Sequence, residues 1–297
     1  MAFFTESVLD DGIVLENKEM YTSEYGMDTI MMECAEFDKE TFTDLVMADF
    51  REMTMLREGA SEEAIQEGVI DTLKKVGKKV IDFIKKWAAK IKTFISNVIA
   101  KILGRFSSDN KKVFEKYKDK VKDSKDVTVK WVKDSKSCFE APDAAITTAD
   151  IQRMAANAEK GAVDKKDAAQ IKKDIKERLK LSDDGENVSV DAVVKDLIGE
   201  EEETTFGKAQ TDIERVLNNG DAAFRAIQSS NKIVESISKT TEAIFKAPKE
   251  NESDKYTKFR AIIMQSANLT NVFIKGQTAA CQKVMRLART AYIKAAK

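Results

Sequence analysis

Along most of this chain the apolar positions recur every three or four residues, a spacing that predicts helices with one face turned inward. The clearest run lies between Ser61 and Phe106. There Val69, Leu73, Val76, Val80, Ile84, Trp87, Ile91, Ile95, Val98 and Ile102 form one stripe, and lysines fill the opposite side. Ser61 and the acidic pair after it predict the start, because carboxylates favour the positive end of a helix dipole. Gly68, Gly77 and Gly104 weaken the run by about 1 kcal/mol each relative to Ala, and a break or bend is expected near Gly77.

The flanks are less regular. Residues 1 to about 36 are acidic and Met-rich, and their period predicts disorder or weak helix; a better helix begins near Phe37. In FDKETFTDLVMADFREMTMLRE, Phe42, Leu45, Val46, Phe50, Met53 and Leu56 are helically spaced, Asp38 or Thr41 is the expected cap, and Glu58-Gly59 ends the pattern. Downstream, SSDNKKVFEKYKDKVKDS predicts a separate charged helix capped by Ser108 or Asp109, with Val113, Tyr117 and Val121 as its stripe. DVTVKWVKD then alternates with period two and predicts a strand, which must pair elsewhere or serve as an extended connector.

The second half returns to helical spacing. A polar helix is expected from Thr147 to Leu181, a short one capped by Ser189 in SVDAVVKDLIGE, and a linker or helix start in GEEEETTF. Phe206, Ile213, Val216 and Leu217 precede a turn at 218–221. One apolar stripe then runs from Phe224 to Phe245, and a last long helix follows Pro248. The helices flanking Pro248 are expected to pack antiparallel, since their connection is short. The predicted fold class is mainly α: an elongated helical bundle with a minor β element near residues 126–132. Three stretches organise it, namely 1–60 as an acidic and removable N-terminal segment, 61–140 as a basic amphipathic region with the short strand, and 141–297 as a C-terminal helical bundle or hairpin.

Composition supports helix and narrows the chemistry. The 297 residues include only two prolines and 12 glycines, the punctuation that helix interiors exclude. Cys34, Cys138 and Cys281 lie far apart, with neither disulfide nor zinc spacing. The chain has no histidine, which removes Ser-His-Asp and Cys-His dyads and the usual zinc-water sites. A non-enzymatic protein with no cofactor, no metal site and no small-molecule substrate is expected. No secretory signal and no membrane-spanning run is read in the sequence.

Charge changes the picture more. From Met1 to Thr72 there are 19 acidic and 4 basic residues, a net of −15; from Leu73 to Lys136 there are 7 acidic and 20 basic, a net of +13. The whole-chain value of −1 hides this reversal. Segregated charge points to a polyanion or membrane partner for the basic part, and to a masking or removable role for the acidic part.

Three readings of the basic run stand side by side. It is a bundle helix whose lysines cover the outer face, or an interfacial membrane helix with Trp87 and Phe94 as apolar anchors. The third is a sequence-independent phosphate binder, with the basic block continuing through Lys125. In the last two, Lys74, Lys75, Lys78, Lys79, Lys85 and Lys86 supply the charge. The acidic leader in turn is a solvated tail, a segment folded back on the lysine face, or an address that is later removed.

Removal has candidate positions. Leu56-Arg57-Glu58 before Gly59-Ala60 is an aliphatic-x-Glu triplet before two small residues, and Ser61-Glu62-Glu63 before Ala64 repeats the theme. These triplets resemble the sites cut by prohead proteases of large tailed bacteriophages, the second being like the variant used by giant phages. The order KKVIDFIKKWAAKIKTFI, NKKVFEKYKDKV, VTVKWV and a helical C-terminal hairpin is similar to virion structural proteins of large phages of Gram-positive bacteria, in detail over residues 60–135. The resemblance implies a virion structural or internal head protein made in the host cytoplasm, with other virion proteins as partners and cleavage at Glu58-Gly59 or Glu63-Ala64. Its basic region would contact double-stranded DNA or an anionic membrane. The alternatives are a membrane-active helix restrained by its acidic leader, and a purely structural helical bundle.

Overall fold

A computed structural model of the protein describes residues 27–44, 47, 54–55, 58, 61–142, 189–246 and 253–297. It is mostly helical with one small two-stranded antiparallel sheet. The elements in chain order are α1 (27–44), α2 (Glu62–Phe94), a π turn (Ile95–Ile99), α3 (Ala100–Tyr117), β1 (Thr128–Val132), a 3-10 turn (Ser137–Phe139), α4 (Val190–Ile198), β2 (Glu201–Thr205), α5 (Phe206–Asn218), α6 (Asp221–Ser229), α7 (Asn231–Phe245) and α8 (Ser253–Ala295). The polar helix expected over Thr147–Leu181 lies outside the described residues.

The 43-residue α8 is the axis of the core. Elements α3, α4, α5, α7 and β1 all pack on it, whereas the most extensive partner of α2 is α7. Within α8, Ile262, Ile263, Ala267, Ile274, Cys281, Val284, Met285, Ala288 and Tyr292 are sealed from solvent, and three hydroxyls on its inner side satisfy themselves locally. Ser266, Thr270 and Thr278 each donate to the carbonyl four residues back at 2.7 Å, so burying them leaves no unmet donor. At Gly276 a β-carbon would meet Val193 Cγ1 at 2.5 Å. The missing side chain is what lets α4 lie against α8 there.

The basic run is one continuous rod with a phase correction. Ser61 caps α2 by accepting from the Ala64 N–H at 3.3 Å. No break occurs at Gly77: α2 runs through it, because a β-carbon there would stand 3.3 Å from the Phe245 carbonyl, and the glycine buys close approach of α7 instead. The irregularity falls at Ile95–Ile99, where the Ala100 N–H reaches back five residues to the Ile95 carbonyl. That extra residue rotates the stripe so that Ile91, Ile95, Ile99, Ile102, Leu103 and Phe106 all stay buried. The expected separate helix starting at Ser108 or Asp109 does not exist as such, since both residues lie inside α3.

The predicted strand finds its partner in a segment read as a linker. β1 pairs with β2 in the register Thr128 with Thr205 and Val132 with Glu201. Glutamates are poor strand formers, so the pairing is imposed from outside: β1 buries Val129, Trp131 and Val132, and the Phe206 N–H donates to the Val127 carbonyl at 2.8 Å just past the strand end. Ser189 caps α4 as the sequence predicts, accepting from the Ala192 N–H at 3.1 Å. The helix ends at Gly199, whose φ of 68° is open to glycine at little cost.

Beyond Asn219 the single predicted stripe is two helices, α6 and α7, meeting at the buried Ser230. Phe245 and Tyr256 meet edge to face at 5.1 Å, so α7 and α8 pack together. The three stretches outlined from the sequence share one continuous core, which holds Met27 and Cys34 from the first, Ile84 and Trp131 from the second, and Ile237 and Tyr292 from the third.

Candidate functional site

The acidic leader contains a helix, and the helix lies on the basic rod. α1 begins upstream of Asp38 and Thr41, so neither caps it. Its inward face is Met27, Ile30, Cys34 and Thr41, all buried, with Phe37 half-buried between them. Phe42, expected inside, is 44% exposed and lies near the Arg260 guanidinium, 5.6 Å from its ring centroid. Leu45, Val46, Phe50, Met53 and Leu56 lie outside the described residues.

Around that apolar face α1 places five carboxylates against four cations. Asp28 accepts from Lys275 Nζ at 2.8 Å. Glu33 accepts from Lys90 Nζ at 2.7 Å. The Lys79 ammonium is shared between Asp44 at 2.7 Å and Glu40 at 3.3 Å. Asp38 meets Arg260, which also donates to the Asp38 carbonyl at 2.9 Å and to the Thr41 hydroxyl at 3.2 Å. The hydrogen bond to Asp44, and then that to Glu40, raise the proton affinity of Lys79 above the ordinary lysine range.

The floor of the contact is polar and buried. Trp87 Nε1–H donates to Asn271 Oδ1 at 2.9 Å, and Asn271 Nδ2–H points to Cys34 Sγ at 3.6 Å, so three buried side chains link α2, α8 and α1 in series. Burial pushes the Cys34 thiol up to about 12. Beside this chain Phe37 stacks on Phe83 with centroids 3.9 Å apart. A pocket of about 290 Å³ opens along the seam, bounded by Glu36, Phe37, Phe83, Lys86 and Trp87.

The sequence-predicted contact residues therefore divide. Trp87 is 2% exposed and Phe94 9%, so both belong to the bundle interior and not to a free surface. Lys79 is engaged by α1, Lys74 pairs with Asp71 at 3.8 Å and Lys85 with Glu242 at 3.3 Å. Lys75, Lys78 and Lys86 are exposed and have no ion pair among the described residues. Of the candidate cleavage positions, Glu58 is exposed in a turn, with its N–H bonded to the Thr54 carbonyl at 3.0 Å. Ala64 sits in the first turn of α2 behind the Ser61 cap, so a cut before it requires that turn to unwind. Gly59 lies outside the described residues, as does the Glu63 side chain.

Sequence reasoning missed Arg260, Asn271 and Lys275, which complete the site from α8. It also missed the register of α1, although Met27, Ile30, Cys34, Phe37 and Thr41 alternate spacings of three and four. Comparison with family models, with curated proteins and with solved structures finds no match for this chain. No described helix is long and apolar enough to cross a membrane.

Proposed function

We propose that the chain is a non-enzymatic phage virion structural or internal head protein, made as a precursor whose acidic leader masks a basic face. The observation that carries the reading is α1 itself, a helix with six acidic residues and one lysine laid across Lys79, Lys90, Arg260 and Lys275. The candidate cut at Glu58 lies between it and α2, and that at Glu63 falls in the first turn of α2. Removal would free those four cations, which join Lys75, Lys78 and Lys86 on a surface suited to phosphates.

Of the two partners for that surface, double-stranded DNA is favoured, because Phe94 is committed to the core and from Lys74 to Lys90 the exposed side of α2 carries seven lysines against one carboxylate, Asp82. Phosphate neutralisation needs only such charge. One observation favours the membrane alternative: Phe83 stacks only on α1 among the aromatic contacts described, so leader removal would present an aromatic ring among lysines.

The test is mass spectrometry on the protein from purified particles, followed by binding measurements on that same material. A new N-terminus at Gly59 or Ala64, with DNA binding that the precursor lacks and that falls steeply with salt, is expected. An intact leader in the particles contradicts the masking role. Binding to anionic liposomes that survives high salt moves the partner from DNA to membrane.

A further inference from the structure

We propose that the groove beneath α1 is a helix-exchange site, which accepts residues 27–44 of a second copy of this chain in place of its own. The inference deepens the masking reading in that it takes α1 as a separable ligand, but it requires neither processing nor a virion.

The contact has the composition of a recognition surface. Its floor offers directed groups: the Arg260 guanidinium, buried at 4% exposure, takes the Asp38 carboxylate, the Asp38 carbonyl and the Thr41 hydroxyl together. Asn271, held by Trp87, reaches Cys34. Its rim offers a charge code in which Lys275, Lys90 and Lys79 meet Asp28, Glu33, and Glu40 with Asp44. A groove of this kind selects an acidic amphipathic helix, and the one sequence seen to satisfy each of its groups is 27–44.

The tether permits exchange. Sixteen residues separate Asp44 from Ser61, a length that reaches at most about 55 Å when extended. Swapping an identical element between copies keeps every contact and costs mainly association entropy. A short tether holds the helix at an effective concentration of order millimolar. Self-docking therefore wins in dilute solution, and exchange takes over where copies are crowded to similar concentrations or where self-docking is blocked.

The experiment uses two full-length variants with complementary reversals at exposed positions. The first carries Glu33→Lys, Glu40→Lys and Asp44→Lys; the second carries Lys79→Glu and Lys90→Glu. Each mismatches its own groove, yet each leader matches the groove of the other. Alone, both are expected to be monomers of one 33.3 kDa chain mass with Cys34 labelled by a thiol reagent at least tenfold faster than in the unaltered chain. Mixed, they are expected to form a dimer of twice that mass with Cys34 protected again. Slow labelling of Cys138 and Cys281 throughout reports that the bundle is folded. A mixture that stays monomeric with Cys34 open overturns the proposal, as does a single variant that keeps Cys34 protected, since docking would then not read charge. If a variant fails to fold, the unaltered chain decides. Carbodiimide coupling of Glu33 to Lys90 in a millimolar mixture of ¹⁵N and ¹⁴N protein is expected to give mixed-isotope pairs. Only like-isotope pairs at every concentration overturn the exchange.

Discussion

Helices α1 and α8 touch each other, yet they are held by different physics. In α8, 17 of 43 residues are buried apolar side chains, spread over its whole length and packed by α2 through α7 and β1. In α1 only Met27, Ile30 and Cys34 of the 18 described residues are of that kind, and the rest of its grip is polar. Each buried apolar side chain contributes roughly 1.5–3 kcal/mol, while an exposed ion pair contributes at most about 1 kcal/mol and is screened by salt. α8 is thus inseparable from the fold, and α1 is a cover fastened by terms that charge, salt and pH can change.

The largest effect separates the two at the core. Phe206→Ala removes a sealed ring that packs 5.8 Å from Tyr292, and a loss of about 3–5 kcal/mol in global stability is expected by denaturant titration. The loss should appear as one transition in which all three cysteines become reactive. A change confined to Cys34 would break the distinction.

Next comes the link between cover and core. Trp87→Phe keeps most of the ring but leaves Asn271 Oδ1 without its donor, at a cost of about 1–3 kcal/mol. Both the midpoint of unfolding and the protection of Cys34 should fall. Arg260→Met acts on the cover alone. It deletes the buried guanidinium, and because the Asp38 side chain is 43% exposed the expected cost is about 1–2 kcal/mol. Cys34 labelling should accelerate with the unfolding midpoint nearly unchanged; an equal fall in both would assign Arg260 to the core.

Alkaline pH should loosen the cover without substitution. The Cys34 thiol is raised from 9.0 to about 12 in the docked state, so docking is fully supported below about pH 9 and weakens as pH rises towards 12. Lys79, also raised, acts in the same direction above its ordinary 10.5. Tryptophan emission should shift to the red over that window as Trp87 meets water, while Trp131, on the inner face of β1, stays buried. An emission maximum constant from pH 8 to 11.5 would contradict the assignment. The smallest effect is Lys90→Ala, which removes one exposed pair: at most about 1 kcal/mol, abolished by high salt.

How much of this was legible in the sequence follows the same divide. The stripe from Leu73 to Ile95 and the cap at Ser189 could be read directly, because period and capping act locally. The β1–β2 pair could be half read. Val129 and Trp131 alternate, but Glu201, Glu202 and Glu203 carry no strand signal of their own and take that state from their neighbour. The π turn leaves no local mark, since its cause is the need to keep two stretches of one rod on the same core.

The cover was misread for an instructive reason. Phe42 and Leu45 suggested an apolar face starting near residue 38, whereas the true face runs through Met27, Ile30, Cys34, Phe37 and Thr41. A cysteine and a threonine carry two of its five positions, and Thr41 is buried only because its hydroxyl has the Phe37 carbonyl at 2.8 Å and Arg260 beside it. The charge reversal announced that the two segments attract. It could not say that Arg260, Asn271 and Lys275, more than 200 residues further along the chain, would complete the binding surface.

The central claim, a separable acidic cover over a basic groove on a single core, is tested most directly by thiol labelling of the full chain in increasing urea, with each cysteine resolved by mass spectrometry. The account predicts that Cys34 becomes reactive at urea concentrations well below the global midpoint and shifts lower still in high salt, while Cys138 and Cys281 open only in the global transition. Simultaneous opening of all three at one midpoint, insensitive to salt, would show that α1 is as integral to the fold as α8 and would contradict the account.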